Sequence, residues 1–143
     1  DMVGGFSIIK DVYKTNVYKL AKYRNSLSEK KTIPQSILNR PPSAELREDQ
    51  TDQDSLPEYS KLDSILNAYI ENDNSINEII SQGHDKNTVE DVIKLVDKNE
   101  YKRRQSAPGI KVTSKNFGRD RRMPIANNYA KFIFDNISKR SKK

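Results

Sequence analysis

NTVEDVIKLVDKNEYKRRQSAPG, residues 87–109, decides the architecture of this chain. Val89, Val92, Ile93 and Val96 recur at i, i+3, i+4 and i+7, the spacing of one face of an amphipathic helix. Asn87, followed three residues later by Glu90, reads as its capping box, and Pro108-Gly109 as its end. Such a helix carries Lys102 and Arg103 to its C-terminal end, where positive charge complements the helix dipole. A second basic stretch, NFGRDRRMP (116–124), follows closely. So dense a group of fixed cations, broken by Pro and Gly, fits either a solvated helix end or a site for an anionic partner.

The segments upstream read as further helices. Ser55-Leu56-Pro57-Glu58 is a capping box before a stripe of Leu62, Ile65, Leu66, Tyr69 and Ile70. Ser75 and Glu78 cap a shorter helix with Ile76, Ile79 and Ile80, ended by Gly83. Thr15 to Asn25 is also helical, with Val17, Leu20, Ala21 and Arg24 on one face. Residues 6–13, FSIIKDVY, suit a buried strand or turn edge, and 26–32 form a polar linker. Residues 33–59 hold four of the six prolines and many acidic residues, so they read as a long loop. IKVTSKNFG (110–118) reads as a short extended piece. Asn127 to Ser138, with Tyr129, Phe132, Ile133 and Ile137 on one side, reads as a last helix before a basic tail. No internal repeat is visible. The expectation is a mostly helical chain with one or two short strands, which needs a sheet from elsewhere to complete its layers.

Composition narrows the chemistry. The 143 residues suffice for one modest domain, and a mean hydropathy of −0.91 leaves a small core. With no Cys there is neither a disulfide nor a thiolate metal site, and the one His, His84, cannot build a His-rich one. The sequence has no apolar run near the ~20 residues of a membrane span and no basic-then-apolar leader, so a cytoplasmic location is the default expectation. The net charge is +6. Between Lys98 and Arg122 nine Lys/Arg face two acids, a balance of +7 that leaves −1 for all other residues. The basic character therefore belongs to one segment and points to a local anion site rather than a general nucleic-acid coat. A small nucleic-acid-binding protein is the alternative, but only Tyr101 and Phe117 are interleaved with the cations as stacking requires. The opening DMVGGF reads as a loop entered from something upstream, as in the C-terminal part of a longer polypeptide.

Three stretches carry more specific information: DMVGGFSIIKDVYKT (1–15), RPPSAELREDQTDQDSLPEY (40–59) and EYKRRQSAPGIKVTSKNFGRDRRMPI (100–125). In this order and spacing they resemble the bacterial NAD synthetases, particularly the glutamine-dependent type, from Asp1 to about Asn128. The resemblance implies an α/β fold of the adenine nucleotide alpha-hydrolase-like class, with residues 1–128 as the C-terminal part of the ligase domain and 129–143 as a C-terminal helix and basic tail. It implies transfer of AMP from ATP, with Mg2+, to the carboxylate of deamido-NAD. Ammonia, drawn from glutamine or free, then displaces AMP to give NAD. It also implies a homodimer or larger assembly.

By the same resemblance, Lys102 and Asp1 contact deamido-NAD, with Gly4-Gly5 beside the dinucleotide, while Lys14 and Ser43 contact ATP. The loop at about 40–58 corresponds to a mobile lid that excludes water from a hydrolysable acyl-adenylate. Arg119, Arg121 and Arg122 belong to the family pattern without an assigned role, and no catalytic residue is assigned. Each position has an ordinary structural reading as well. Lys102, Arg103 and Arg104 suit a solvated helix end, and Arg103 and Arg104 could pair with the acidic loop 45–54. Lys14 suits a surface lysine, Ser43 a helix N-cap, and Tyr59, Tyr69 and Tyr129 core or interface positions. The acidic run in the loop matches no EF-hand spacing. The family's Ser-Gly-Gly-x-Asp-Ser pyrophosphate loop, its upstream magnesium-holding acids and the Glu-Lys-Cys set of its amidase domain do not occur among these residues. The expectation is a part of a ligase that does not make NAD alone, or an orphan fragment without activity.

Overall fold

The computed structural model describes residues 5–42, 51–52, 56–116 and 118–124. Six helices are formed there: α1 (Lys14–Ser26), α2 (Gln35–Asn39), α3 (Tyr59–Leu66), α4 (Ile76–Ser81), α5 (Lys86–Lys98) and α6 (Glu100–Gln105). No strand occurs among the described residues; an isolated parallel bridge joins Ser7 and Gly109. The Asn127–Ser138 helix, Phe117 and most of the lid loop fall outside the described residues.

The core lies between α3, α4 and α5. Ile65, Ile79 and Val89 are fully buried, and Ala68, Ile76, Val92 and Ile93 complete the cluster, with Leu62, Leu66, Tyr69, Ile80 and Val96 packed against it. Each large aliphatic side chain sealed in this way stabilises the fold by about 1.5–3 kcal/mol relative to exposure. The apolar stripe read between Leu62 and Ile70 is therefore the face that packs. Asn67–Glu71 continues α3 as a wider π turn, closed by the Asn72 amide on the Asn67 carbonyl at 3.2 Å. Ile65 on α3 and Ile70 within this turn are both buried, Ile65 in the core cluster.

The helix signals held in part. Ser75 and Glu78 form the expected capping box, with the Ser75 amide donating to Glu78 Oε2 at 2.7 Å, and Gly83 follows the end of α4 at φ 95°. α5 is capped by Asp85 rather than Asn87: its carboxylate accepts from the Thr88 amide and hydroxyl, each at 2.9 Å. α3 starts at Tyr59 after Glu58, with no side-chain cap, and Ser55 of the expected box lies outside the described residues. The helix read as continuous to Pro108 is two, because Asn99 closes α5 on the Leu95 carbonyl before α6 begins.

Two surfaces differ from expectation. Residues 6–13 form turns rather than a buried strand, and Phe6, Ile8 and Ile9 are exposed. α1 lies close to its expected bounds, yet none of its residues is buried and Leu20 is exposed. It is held from its N-terminal end instead, where the Thr15 amide donates to Asp63 Oδ2 at 2.9 Å. The five-residue α2 lies inside the stretch read as loop.

Candidate functional site

The segment after α6 has no regular structure of its own, and side chains from elsewhere fix its path. Asp11 is buried, and its Oδ2 accepts from the Val112 and Thr113 amides and the Thr113 hydroxyl, each at 2.8 Å. Glu71 accepts from the Ser114 hydroxyl at 2.7 Å and from the Tyr13 hydroxyl at 2.8 Å. Burial alone would raise the Glu71 pKa, but hydrogen bonds from Ser114, Tyr13 and Asn67 outweigh it and hold the carboxyl below its usual range.

On the other side α6 supplies two arginines. Arg103 forks onto both oxygens of the buried Glu100 and donates to the Gly118 and Arg121 carbonyls. Arg104 donates to Glu100 and to the Met123 carbonyl, the latter at 2.7 Å. Among the described residues both arginines bond Glu100 and backbone carbonyls of 118–123, while most of the acidic loop 45–54 lies outside them. Arg121 turns inward, pairs with the buried Asp97 and lies 4.7 Å from the centre of the Tyr69 ring. Burial pushes the Asp97 carboxyl up, and Arg121 offsets that in part. Arg121 is therefore a structural cation, and Tyr69 the packing residue that its helical spacing implied.

This framework opens a groove of about 650 Å³ between α6 and the 108–122 segment. Lys10, Arg103, Arg104, Lys111, Arg119 and Arg122 line it, and Asp120 is its one acidic lining residue. Lys111 bonds Asp120 at 2.6 Å, and Arg103 and Arg104 are paired with Glu100. Lys10, Arg119 and Arg122 form no ion pair among the described residues. Three cations on one groove without an ion-pair partner among the described residues are the chemistry that anionic oxygens can meet.

The two sequence-assigned lysines stand beside this groove rather than in it. Lys102 is exposed and lines a largely apolar hollow of about 430 Å³ with Leu62, Leu66, Val92, Leu95 and Val96. Lys14 begins α1, with its ammonium 5.7 Å from the centre of the Tyr59 ring, and lines a third hollow of about 190 Å³. Asp1, Gly4 and Ser43 lie outside the described residues, as does most of the proposed lid. At Gly5 a Cβ would meet nothing within 4 Å, so packing does not demand glycine there. Among the described residues no three of His, Cys, Asp and Glu are grouped so as to hold a metal ion. None of the described helices is long and apolar enough to cross a membrane. His84 sits in the turn before α5 beside the Ser64 hydroxyl, at 3.2 Å.

The residue that sequence reasoning missed is Lys10, which lines all three hollows. Its neighbours in the chain gave no hint, because the partners that define its place are about a hundred residues away.

Comparison with known proteins gives this geometry a context. The family described as NAD synthase matches residues 1–106. The glutamine-dependent NAD(+) synthetase of Acinetobacter baylyi is 62% identical over 129 residues, which cover 90% of this chain and 24% of that protein. The Thermotoga maritima counterpart is 52% identical over 129 residues, covering 90% of this chain and 22% of its own. A solved structure of glutamine-dependent NAD+ synthetase from Acinetobacter baumannii, in complex with adenosine diphosphate, superposes with a TM-score of 0.51 at 53% identity, covering 90% of this chain and 22% of that one. The chain thus spans about a quarter of the length of the relatives it matches.

Proposed function

The chain belongs to the NAD synthase family, and on that premise we propose that it supplies one wall of the ligase site of a glutamine-dependent NAD synthetase. The overall reaction adenylates the carboxylate of deamido-NAD with ATP, releases pyrophosphate, and lets ammonia displace AMP to form the amide of NAD. Glutamine is the nitrogen source in the named relatives. ATP as the nucleotide draws support from the adenosine diphosphate bound in the Acinetobacter baumannii structure.

The observation that carries the reading is the cationic groove beside Lys102. A carboxylate is a poor electrophile, and making it an acyl-adenylate brings a second anion against the ATP phosphates. Cations fixed before reaction stabilise the charge that develops there without reorganising. Arg119 and Arg122 serve that end on the groove side. On the hollow side, beside the apolar wall from α3 and α5, the Lys102 ammonium orients an anionic substrate, with Lys10, Asn99 and Ser106 on the same lining. Lys14, at the start of α1, takes the phosphates of ATP in this reading, and Asp1 and Ser43 keep the deamido-NAD and ATP roles that the resemblance implies. The lid at about 40–58 closes over them.

The rest of the site lies in sequence that these residues do not include: the pyrophosphate loop, the magnesium ligands and the amidase set. In this reading residues 1–128 belong to an adenine nucleotide alpha-hydrolase-like α/β domain whose sheet comes from those parts. The 129–143 tail continues it, and the whole assembles as a homo-oligomer. When bound, magnesium neutralises phosphate charge; the residues described here orient the carboxylate and the phosphates. The alternative of a nucleic-acid-binding protein draws no support from the relatives.

The test is a chimera in which this chain replaces its matching quarter of the Acinetobacter baylyi enzyme, assayed for NAD from deamido-NAD, ATP and glutamine. The chimera should turn over, the 143 residues alone should not, and Lys102→Ala in the chimera should lower kcat/KM by about 10²-fold. A folded chimera without ligase activity, or one indifferent to Lys102, refutes the reading.

A further inference from the structure

We propose that Lys10 is an oligophosphate-binding residue at the floor of the cationic groove, with its side chain in a slot that Gly109 and Gly118 keep open. The slot is a steric fact. A Cβ on Gly109 would collide with the Ser7 carbonyl oxygen, and would stand 3.0 Å from Lys10 Cβ and 3.5 Å from Cδ. A Cβ on Gly118 would stand 2.6 Å from Asn116 Oδ1 and in ordinary contact with Lys10, 3.4 Å from Cε and 3.5 Å from the ammonium nitrogen. Two glycines about a hundred residues beyond Lys10 thus flank it, and each is closed to a larger side chain by a nearer oxygen as well, that of Ser7 at Gly109 and that of the Asn116 side chain at Gly118.

The ammonium is oriented but incompletely used. It donates to the Ala107 carbonyl at 2.9 Å, and no other hydrogen bond from it exists among the described residues. A lysine has three protons to donate. The nearby carboxylates are engaged elsewhere: Asp11 on Val112 and Thr113, Glu100 on Arg103 and Arg104, Asp120 on Lys111 and the Asn116 amide. Burial, with Arg103 and Arg119 close by, pulls the Lys10 pKa below its usual value, while Asp11 acts the other way. A cation crowded by cations and partly withdrawn from water is stabilised by an arriving anion. Lysine suits phosphate as a point charge, while Arg119 and Arg122 at the same groove offer flat, forked donors. Together they fit an anion with several oxygens spread over more than one phosphorus.

That chemistry could come from the ATP chain itself or from released pyrophosphate. The assignment rests on the ligase reading only for which of these applies, since binding is measurable without turnover. Calorimetric titration of this chain with inorganic pyrophosphate, ADP and AMP at ~0.15 M salt is the test, because exposed charges separated by more than ~8 Å are then largely screened. Pyrophosphate should bind and AMP should not, and ADP binding as well would place the nucleotide's own phosphates in the groove. Lys10→Met should weaken pyrophosphate binding by about 10- to 100-fold, the loss of a charge-assisted hydrogen bond. Lys10→Gln should do the same while keeping a donor for Ala107, which separates loss of the cation from loss of local structure. Lys19→Met removes an equal charge from exposed α1 and should change binding less than twofold. Absence of pyrophosphate binding, or equal weakening in the Lys10 and Lys19 variants, overturns the assignment. A chimera inactive as a ligase leaves a Lys10-dependent titration standing.

Discussion

Replacing Arg103 by Met tests the framework under the groove. The Arg103 and Glu100 side chains are 4% and 1% exposed, so theirs is a buried pair. The change leaves the Glu100 carboxylate enclosed and removes the donors from the Gly118 and Arg121 carbonyls. Removing one partner of a buried pair costs about 3–5 kcal/mol, most of it the unpaired charge left behind. Here Arg104 Nε remains 3.3 Å from Glu100 on a half-exposed side chain, which sets the expectation at the lower end, about 3 kcal/mol. With a urea slope of about 1–3 kcal/mol/M, the unfolding midpoint should fall by about 1–3 M. The double variant Glu100→Met/Arg103→Met removes both charges and should recover at least about 1 kcal/mol of that loss. Urea titration followed by helical circular dichroism measures all three. A single-variant loss under about 1 kcal/mol, or a double variant costing the sum of its singles, would refute the claim that this pair holds the segment.

Three other outcomes follow from the same structure. Ile79→Ala, at a fully buried core position, should cost about 2–5 kcal/mol in denaturant unfolding without altering pyrophosphate binding by the folded fraction. Ser75→Ala removes one half of the α4 capping box and should cost about 1 kcal/mol by the same measurement. Acid should loosen the fold through Glu71 and Glu100. Burial raises both pKa values, but hydrogen bonds and, for Glu100, the arginines outweigh it, so both folded values are depressed. Their contribution is present above the unfolded value of about 4.3 and is lost as pH falls through the folded values. The urea midpoint should therefore hold from pH 7 to 5 and drop below pH 4, and less steeply in Glu71→Gln.

The parts of the fold legible in the sequence are those governed by local spacing. The α5 stripe and the Ser75 box were visible because a buried helix face and a cap are written within seven residues. Asp85 was missed because Asn87 with Glu90 satisfies the same pattern two residues on, and only geometry chooses. The break at Asn99 carries no Pro or Gly, so the periodic reading ran through it. The exposure of α1 and of Ile8 and Ile9 could not be read, since apolar spacing says a face can be covered and not by what. At the site, the density of cations in 98–122 was plain, but their division was not. Arg103 and Arg121 hold structure while Arg119 and Arg122 face the groove, and the difference lies in whether Glu100 or Asp97 is within reach. Lys10 was invisible for the same reason, its surroundings being wholly tertiary.

The joining of the two ends of the described chain also orders events in time. Lys10 meets Ala107 across 97 positions, and Asp11 meets Thr113 across 102. The helical core between them closes through shorter separations. On a ribosome adding ~5–20 residues per second, the 7–13 segment waits on the order of 5–20 s for its partners to be synthesised. Throughout that interval the Asp11 carboxylate is unseated and open to other partners. The cationic groove is thus among the last features to form, and its appearance reports that the chain has been read through residue 122.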